Sequence, residues 1–218
     1  FVSGLVEEVL ALNLLPAKRP LSAIKAEHLR KKYWSIVQQD INERSLPKFV
    51  LDKLPLNLAY VPLLNHVFER PKFIVSLRHP LDCILSCYFQ DFESNAGMIH
   101  TTDLNDTAAF YAETMGAWLE CKKTMDLNFI YVRYEDLILN KNLELIKVAE
   151  FLGVEQDVES LDNVGLALQR DIVNTPSYRQ ISQPIYRNAI NRWKSYTKHL
   201  GNCVKIIAPI AHELGYDI

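Results

Sequence analysis

Lys72-Phe73-Ile74-Val75-Ser76-Leu77-Arg78-His79-Pro80-Leu81-Asp82-Cys83-Ile84-Leu85-Ser86 is the stretch that decides how this chain is built. Its first six residues centre on aromatic Phe73 and β-branched Ile74 and Val75, the composition of a short buried strand. His79-Pro80 ends that strand. Pro80 then suits the first turn of a helix, where its missing N–H leaves nothing unpaired. The apolar spacing predicts that this helix runs to about Phe92. A strand ending in Arg, a helix start and a Ser on the helix can together clamp a phosphate. The guanidinium forks onto phosphate oxygens, helix-start amides favour negative charge, and the hydroxyl donates one more bond. An Arg that caps a neighbouring helix would have the same local sequence, so the residues alone leave both readings open.

Working outward, residues 1–15 have helical spacing that stops near Pro16, and a polar helix is predicted over 23–39. Residues 48–51 read as a short buried strand ending at Asp52-Lys53. A helix is expected over 58–68, with Asn57 as its N-cap. Downstream, 93–105 reads as a loop and 107–125 as a long helix capped by Asn105 or Asp106. Residues 128–132 form another strand, running into Arg133-Tyr134-Glu135-Asp136. A helix over 143–152 should close at Gly153, a good residue just past a helix end. Residues 169–188 are polar and irregular, and helices over 189–196 and 202–214 finish the chain. Short buried strands alternating with helices predict an α/β fold whose central parallel sheet carries helices on both faces. Ligands in such folds sit at the carboxyl ends of the strands. That puts Asp52-Lys53, Arg78-His79 and Arg133-Tyr134 on one rim, which suits an anionic ligand with an aromatic part, such as a nucleotide.

The chain has 218 residues, 49% hydrophobic and 23% charged, with a formal net charge of −2. This is ordinary for a soluble globular domain and gives no global basic field for nucleic acid or an anionic membrane. No apolar stretch is long enough to span a bilayer. Residues 1–15 contain Glu7 and Glu8 and lack the basic start and cleavage site of a signal peptide. The four cysteines are Cys83, Cys87, Cys121 and Cys203. They have no His or Cys partner motif, so small buried thiols in a reducing, cytoplasmic compartment are expected and no metal site.

Arg78-x-Pro80-x-Asp82-x-x-x-Ser86 after a buried strand resembles the 3′-phosphate-binding motif of sulfotransferases that use 3′-phosphoadenosine 5′-phosphosulfate (PAPS). Asp52-Lys53-Leu54-Pro55-Leu56-Asn57 resembles the segment preceding that motif in bacterial sulfotransferases with tetratricopeptide repeats. Tyrosylprotein sulfotransferases have a similar Asn-Lys-Asp-Pro there. Ser86-Cys87-Tyr88-Phe89-Gln90, Arg133-Tyr134-Glu135-Asp136-Leu137 and Gln183-Pro184-Ile185-Tyr186-Arg187, with Arg192-Trp193 after them, are also similar to the bacterial group. The resemblance covers about residues 52–196. It implies a three-layer fold like that of P-loop NTPases and a single sulfotransferase domain over 1–218. It also implies an acceptor that is a peptide, sugar or small molecule, and tetratricopeptide repeats upstream would favour a peptide.

The resemblance also implies roles for particular residues. Arg78 and Ser86 would hold the 3′-phosphate, and Tyr134 would lie beside the adenine. Arg192 would contact the cofactor phosphates, and Arg187 would add to that cluster. Lys53 matches a lysine near the transferring sulfuryl group. Negative charge moves onto the bridging oxygen as the S–O bond breaks, and a fixed cation there favours the transition state over the ground state. Ser177 resembles a serine that contacts the reacting region in tyrosylprotein sulfotransferases. Gln90 stands where those enzymes have a basic phosphate contact.

One departure stands out. These enzymes open with a loop like Pro-Arg-Ser-Gly-Thr-Thr, whose backbone amides wrap the 5′-phosphosulfate, and no such loop occurs in the 218 residues. The first strand, that loop and the usual general base, a Glu, are expected to precede Phe1, so the domain reads as N-terminally incomplete and inactive alone. A non-catalytic remnant or binding module that keeps the 3′-phosphate half-site is the competing reading. A small-molecule kinase would need a Gly-Lys-Ser/Thr loop and a Mg²⁺ site, which the sequence does not offer.

Overall fold

The computed structural model describes residues 1–11, 22–41, 49–90, 92, 98–154 and 190–218. The chain divides into two compact units, residues 1–71 with 117–128, and residues 72–116 with 129–218.

The first unit is helical. Helix α1 (Val2–Ala11), α2 (Ala23–Ile41) and α3 (Val61–Val67) share a core of Val2, Leu5, Val9, Leu29, Tyr33, Val37 and Val67. The residues from α1 and α2 repeat every three or four positions, as one helical face requires. Gly4 of α1 faces the tip of Ile36 on α2, and a Cβ there would stand 2.7 Å from Ile36 Cδ1. Arg30 donates from Nε and Nη2 to the Val67 carbonyl at 3.0 and 2.9 Å, satisfying a carbonyl at the end of α3.

Two expectations fail in this unit. Residues 49–51 form no strand. Val50 packs against the helical core, while Phe49 and Leu51 stay 46% and 77% exposed. An extended segment becomes a strand only where a neighbour pairs with its backbone, and the only sheet among the described residues is two-stranded and built elsewhere. Asn57 is not an N-cap either. It lies in a 3₁₀ turn, Pro55–Tyr60, and α3 begins after Tyr60. Its Nδ2 donates to Asp52 Oδ1 at 3.2 Å.

The second unit holds the sheet. Strand β1 (Lys72–Leu77) pairs with β2 (Asn128–Arg133), and the small sheet is parallel within a mixed α/β arrangement. Helix α4 (Pro80–Tyr88) follows β1 with Pro80 in its first turn and ends earlier than the spacing implies. Helix α5 (Leu104–Thr124) contributes to both units. Its start is set by Asp103, whose Oδ1 accepts the N–H groups of Asn105 and Asp106 at 2.7 and 3.1 Å, so the cap is neither Asn105 nor Asp106. Helices α6 (Tyr134–Leu139) and α7 (Lys141–Leu152) follow β2. Gly153 closes α7 with a φ of 72°, and the N–H of Val154 reaches back to the Ala149 carbonyl at 3.0 Å. A 3₁₀ helix, Arg192–His199, replaces the α-helix expected there and leads into α8 (Gly201–Glu213). Leu81, Ile84 and Leu85 of α4 pack with Ala108, Leu200, Cys203 and Ile207 as this unit's core. No helix among the described residues is long and apolar enough to cross a membrane.

Candidate active site

Parallel pairing of β1 and β2 puts their carboxyl ends side by side, so Arg78 and Tyr134, the residues that follow them, meet. The Arg78 guanidinium carbon lies 5.2 Å from the centre of the Tyr134 ring. A ring face restrains a guanidinium without neutralising it. Burial pushes the Cys83 thiol up to about 12 and raises that of Cys87, and in both cases the Arg78 charge pulls the other way. The Cys83 thiol also donates to the Arg78 carbonyl at 3.8 Å. Ser86 lies on α4 beside Cys87 and three residues after Cys83, and it is exposed.

Arg192 comes to the far end of the same helix. Its guanidinium carbon lies 5.0 Å from the centre of Phe89, the residue that caps α4, and 5.9 Å from that of Tyr196. Asp82, 1% exposed, accepts the backbone N–H of Asn191 at 2.8 Å on one oxygen and that of Trp193 at 2.8 Å on the other. Sequence reading gave Asp82 no role. The available signal was one carboxylate in a helix start otherwise lined by Pro80, Leu81, Cys83, Ile84 and Leu85, where a buried charge must find partners.

Arg133 was expected on the ligand rim, and the structure assigns it elsewhere. Its guanidinium carbon lies 4.4 Å from the centre of Tyr216, and its Nη2 donates to the Leu214 carbonyl. Glu135 accepts the His79 backbone N–H at 2.9 Å and the Tyr216 hydroxyl at 3.1 Å. Burial first, then the Glu135 charge, raise the Tyr216 phenol, so it remains a neutral donor. His79 is the N-cap residue of α4 but no surface residue, being 8% exposed. It stacks on Trp193 with ring centres 4.9 Å apart and planes 18° apart, and its Nε2 lies 3.0 Å from the Asp217 carbonyl. These contacts tie the last residues of the chain to the start of α4.

Lys53 belongs to the first unit and is exposed. Its neighbour Asp52 anchors the segment by accepting the Val2 N–H at 2.9 Å. Arg78, Ser86, Tyr134 and Arg192 all belong to the second unit. Ser177 and Arg187 lie outside the described residues. Among the described residues no group of three His, Cys, Asp or Glu side chains could hold a metal.

Comparison with known proteins places the chain in the sulfotransferase family. A family model described as the sulfotransferase family matches residues 11–158. An uncharacterised protein of Aquifex aeolicus (strain VF5) is 25% identical over 159 residues, which cover 72% of this chain and 20% of that protein. The chain thus spans about one fifth of that relative's length. Among solved structures, the sulfotransferase domain from the curacin biosynthetic pathway aligns with a TM-score of 0.60 at 18% identity, covering 99% of this chain and 80% of that one. At that identity the likeness shows a shared fold.

Proposed function

Because the chain belongs to the sulfotransferase family, we propose that it is the part of a PAPS-dependent sulfotransferase that grips the 3′ side of the donor nucleotide. The observation that carries this reading is Arg78 set over Tyr134 at the paired ends of β1 and β2. Two guanidinium groups and a hydroxyl can donate to phosphate oxygens, and an aromatic ring can stack on a base, which together suit a phosphorylated nucleoside. Bound PAPS would supply an activated sulfuryl group for transfer to a hydroxyl or amine acceptor.

In this reading Arg78 and Ser86 hold the 3′-phosphate, Tyr134 flanks the adenine, and Arg192 contacts the nucleotide phosphates from the other end of α4. Arg187 adds to that cluster and Ser177 lies near the reacting group, both on the strength of the resemblance. Lys53 offsets the charge that builds on the bridging oxygen as the sulfur leaves it for the acceptor. These residues together would form the 3′ side of the donor site.

Isothermal calorimetry with adenosine 3′,5′-bisphosphate tests the reading. The chain should bind, and Arg78→Ala should weaken binding by about 2–4 kcal/mol, the loss expected for a partly buried bidentate phosphate contact. Binding that is indifferent to Arg78→Ala would remove the assignment.

A further inference from the structure

Resting on that nucleotide reading, we infer that Asp82 is a positioning residue that fixes Arg192 for the nucleotide, making Arg78, Ser86 and Arg192 one preassembled anion site around α4. Asn191 has φ 59° and ψ 20°, the left-handed region, just before Arg192. A left-handed residue next to right-handed ones turns successive N–H groups toward one point and makes a concavity for an anion. Here the anion is the Asp82 carboxylate, which takes the N–H groups on either side of Arg192 at 2.8 Å each. A carboxylate 1% exposed is costly to bury unless hydrogen-bonded, so the turn and the carboxylate hold each other in place.

The next residue adds a second attachment, because Trp193 stacks on His79 at the start of α4. The Arg192 side chain then lies over Phe89, which follows Ser86 by three residues and so shares its side of the helix. With backbone and side chain both restrained, less ordering is left to be done when an anion arrives. A carboxylate serving only to complement the positive end of α4 would need no amides from a segment more than a hundred residues away, and it would have no energetic link to Arg192.

That link is the test. Asp82→Asn has the same shape, keeps one acceptor and points an NH₂ group at the other amide. It should raise the Kd for adenosine 3′,5′-bisphosphate roughly tenfold, about as much as Arg192→Ala, the size expected for one charge-assisted bond at a partly exposed site. The double variant should bind no more weakly than Arg192→Ala alone. Arg78→Ala should cost as much in the Asp82→Asn protein as in the unmodified chain. Hydrogen exchange at the Asn191 and Trp193 amides should accelerate in Asp82→Asn with or without nucleotide. Additive effects of Asp82→Asn and Arg192→Ala, or unchanged affinity despite released amides, would overturn the inference. If Asp82→Asn does not fold, Asn191→Val perturbs the same turn from the other side, because a β-branched residue resists positive φ. It should lower affinity in the same Arg192-dependent way, and unchanged or Arg192-independent affinity counts against the inference. A chain that binds no bisphosphate would overturn the nucleotide reading and this inference with it. Binding that responds to Arg78→Ala but not to Asp82→Asn would overturn the inference alone.

Discussion

The guanidinium of Arg78 lies over the ring of Tyr134, 5.2 Å from its centre, joining the residues that follow two adjacent parallel strands. If the ring serves to hold the guanidinium, Tyr134→Leu should weaken bisphosphate binding by about 1 kcal/mol, roughly fivefold. Tyr134→Phe keeps the ring face and should bind close to normally. Calorimetry on the two variants separates them, and equal losses would point to the hydroxyl instead.

The role proposed for Lys53 is to act on a charge that appears only during transfer. Residues 1–218 alone should bind the bisphosphate but show no sulfate transfer from labelled PAPS to an acceptor extract. In a longer protein that contains a 5′-phosphosulfate loop, Lys53→Ala should lower kcat about 10²–10³-fold, as for loss of one transition-state donor, and leave nucleotide affinity nearly unchanged. Clear turnover by the 218 residues would contradict this and direct a search for the general base to Glu7 and Glu8.

The Cys83 thiol, pushed up to about 12 by burial against the opposing pull of Arg78, makes stability depend on alkaline pH. An ordinary thiol ionises near 8.5. Between about pH 8.5 and 12 the unfolded chain gives up a proton that the native chain keeps, so the stabilisation is complete below that window and is lost as pH rises through it. Urea midpoints at pH 8.5, 9.5 and 10.5 should fall less steeply in Cys83→Ala than in the unmodified chain. Parallel slopes would show that this thiol does not titrate differently on folding.

Gly153 ends α7 at φ 72° with open space where a Cβ would stand. Gly153→Ala meets no clash and pays only for the left-handed backbone, so it should destabilise the protein by about 1–2 kcal/mol. Bisphosphate affinity should be unchanged. A thermal or urea melt checks the first part, and an unaltered melting point would mean that the helix end rearranges at no cost.

Some elements were legible because their causes are local. The run from Lys72 to Leu77 has the side chains of a strand and nothing that breaks one, and it is a strand. Pro80 starts α4 because its ring sets φ and its missing N–H is harmless there. The helix that ends at Gly153 does so because glycine alone enters the left-handed region without strain. The passage from strand to helix around Arg78 was legible too, since strand end and helix start are consecutive in the chain.

Where the deciding partner is distant in sequence, local reading failed. Residues 49–51 have strand composition, but no strand pairs with them among the described residues, and Val50 is claimed by a helical core. Arg133 and Arg78 both close strands, yet Tyr216 and the Leu214 carbonyl bind Arg133 while Tyr134 faces Arg78.

By itself, then, the sequence determined the strand Lys72–Leu77, the start of α4 at Pro80 and the end of α7 at Gly153, because propensity, proline and glycine act over a few neighbouring positions. Only tertiary structure decided what Asp82 does. A carboxylate in the first turn of α4 meets the amides of Asn191 and Trp193 because the chain returns to that helix. A hydrogen bond across that separation depends on the packing of the whole unit and leaves no local trace.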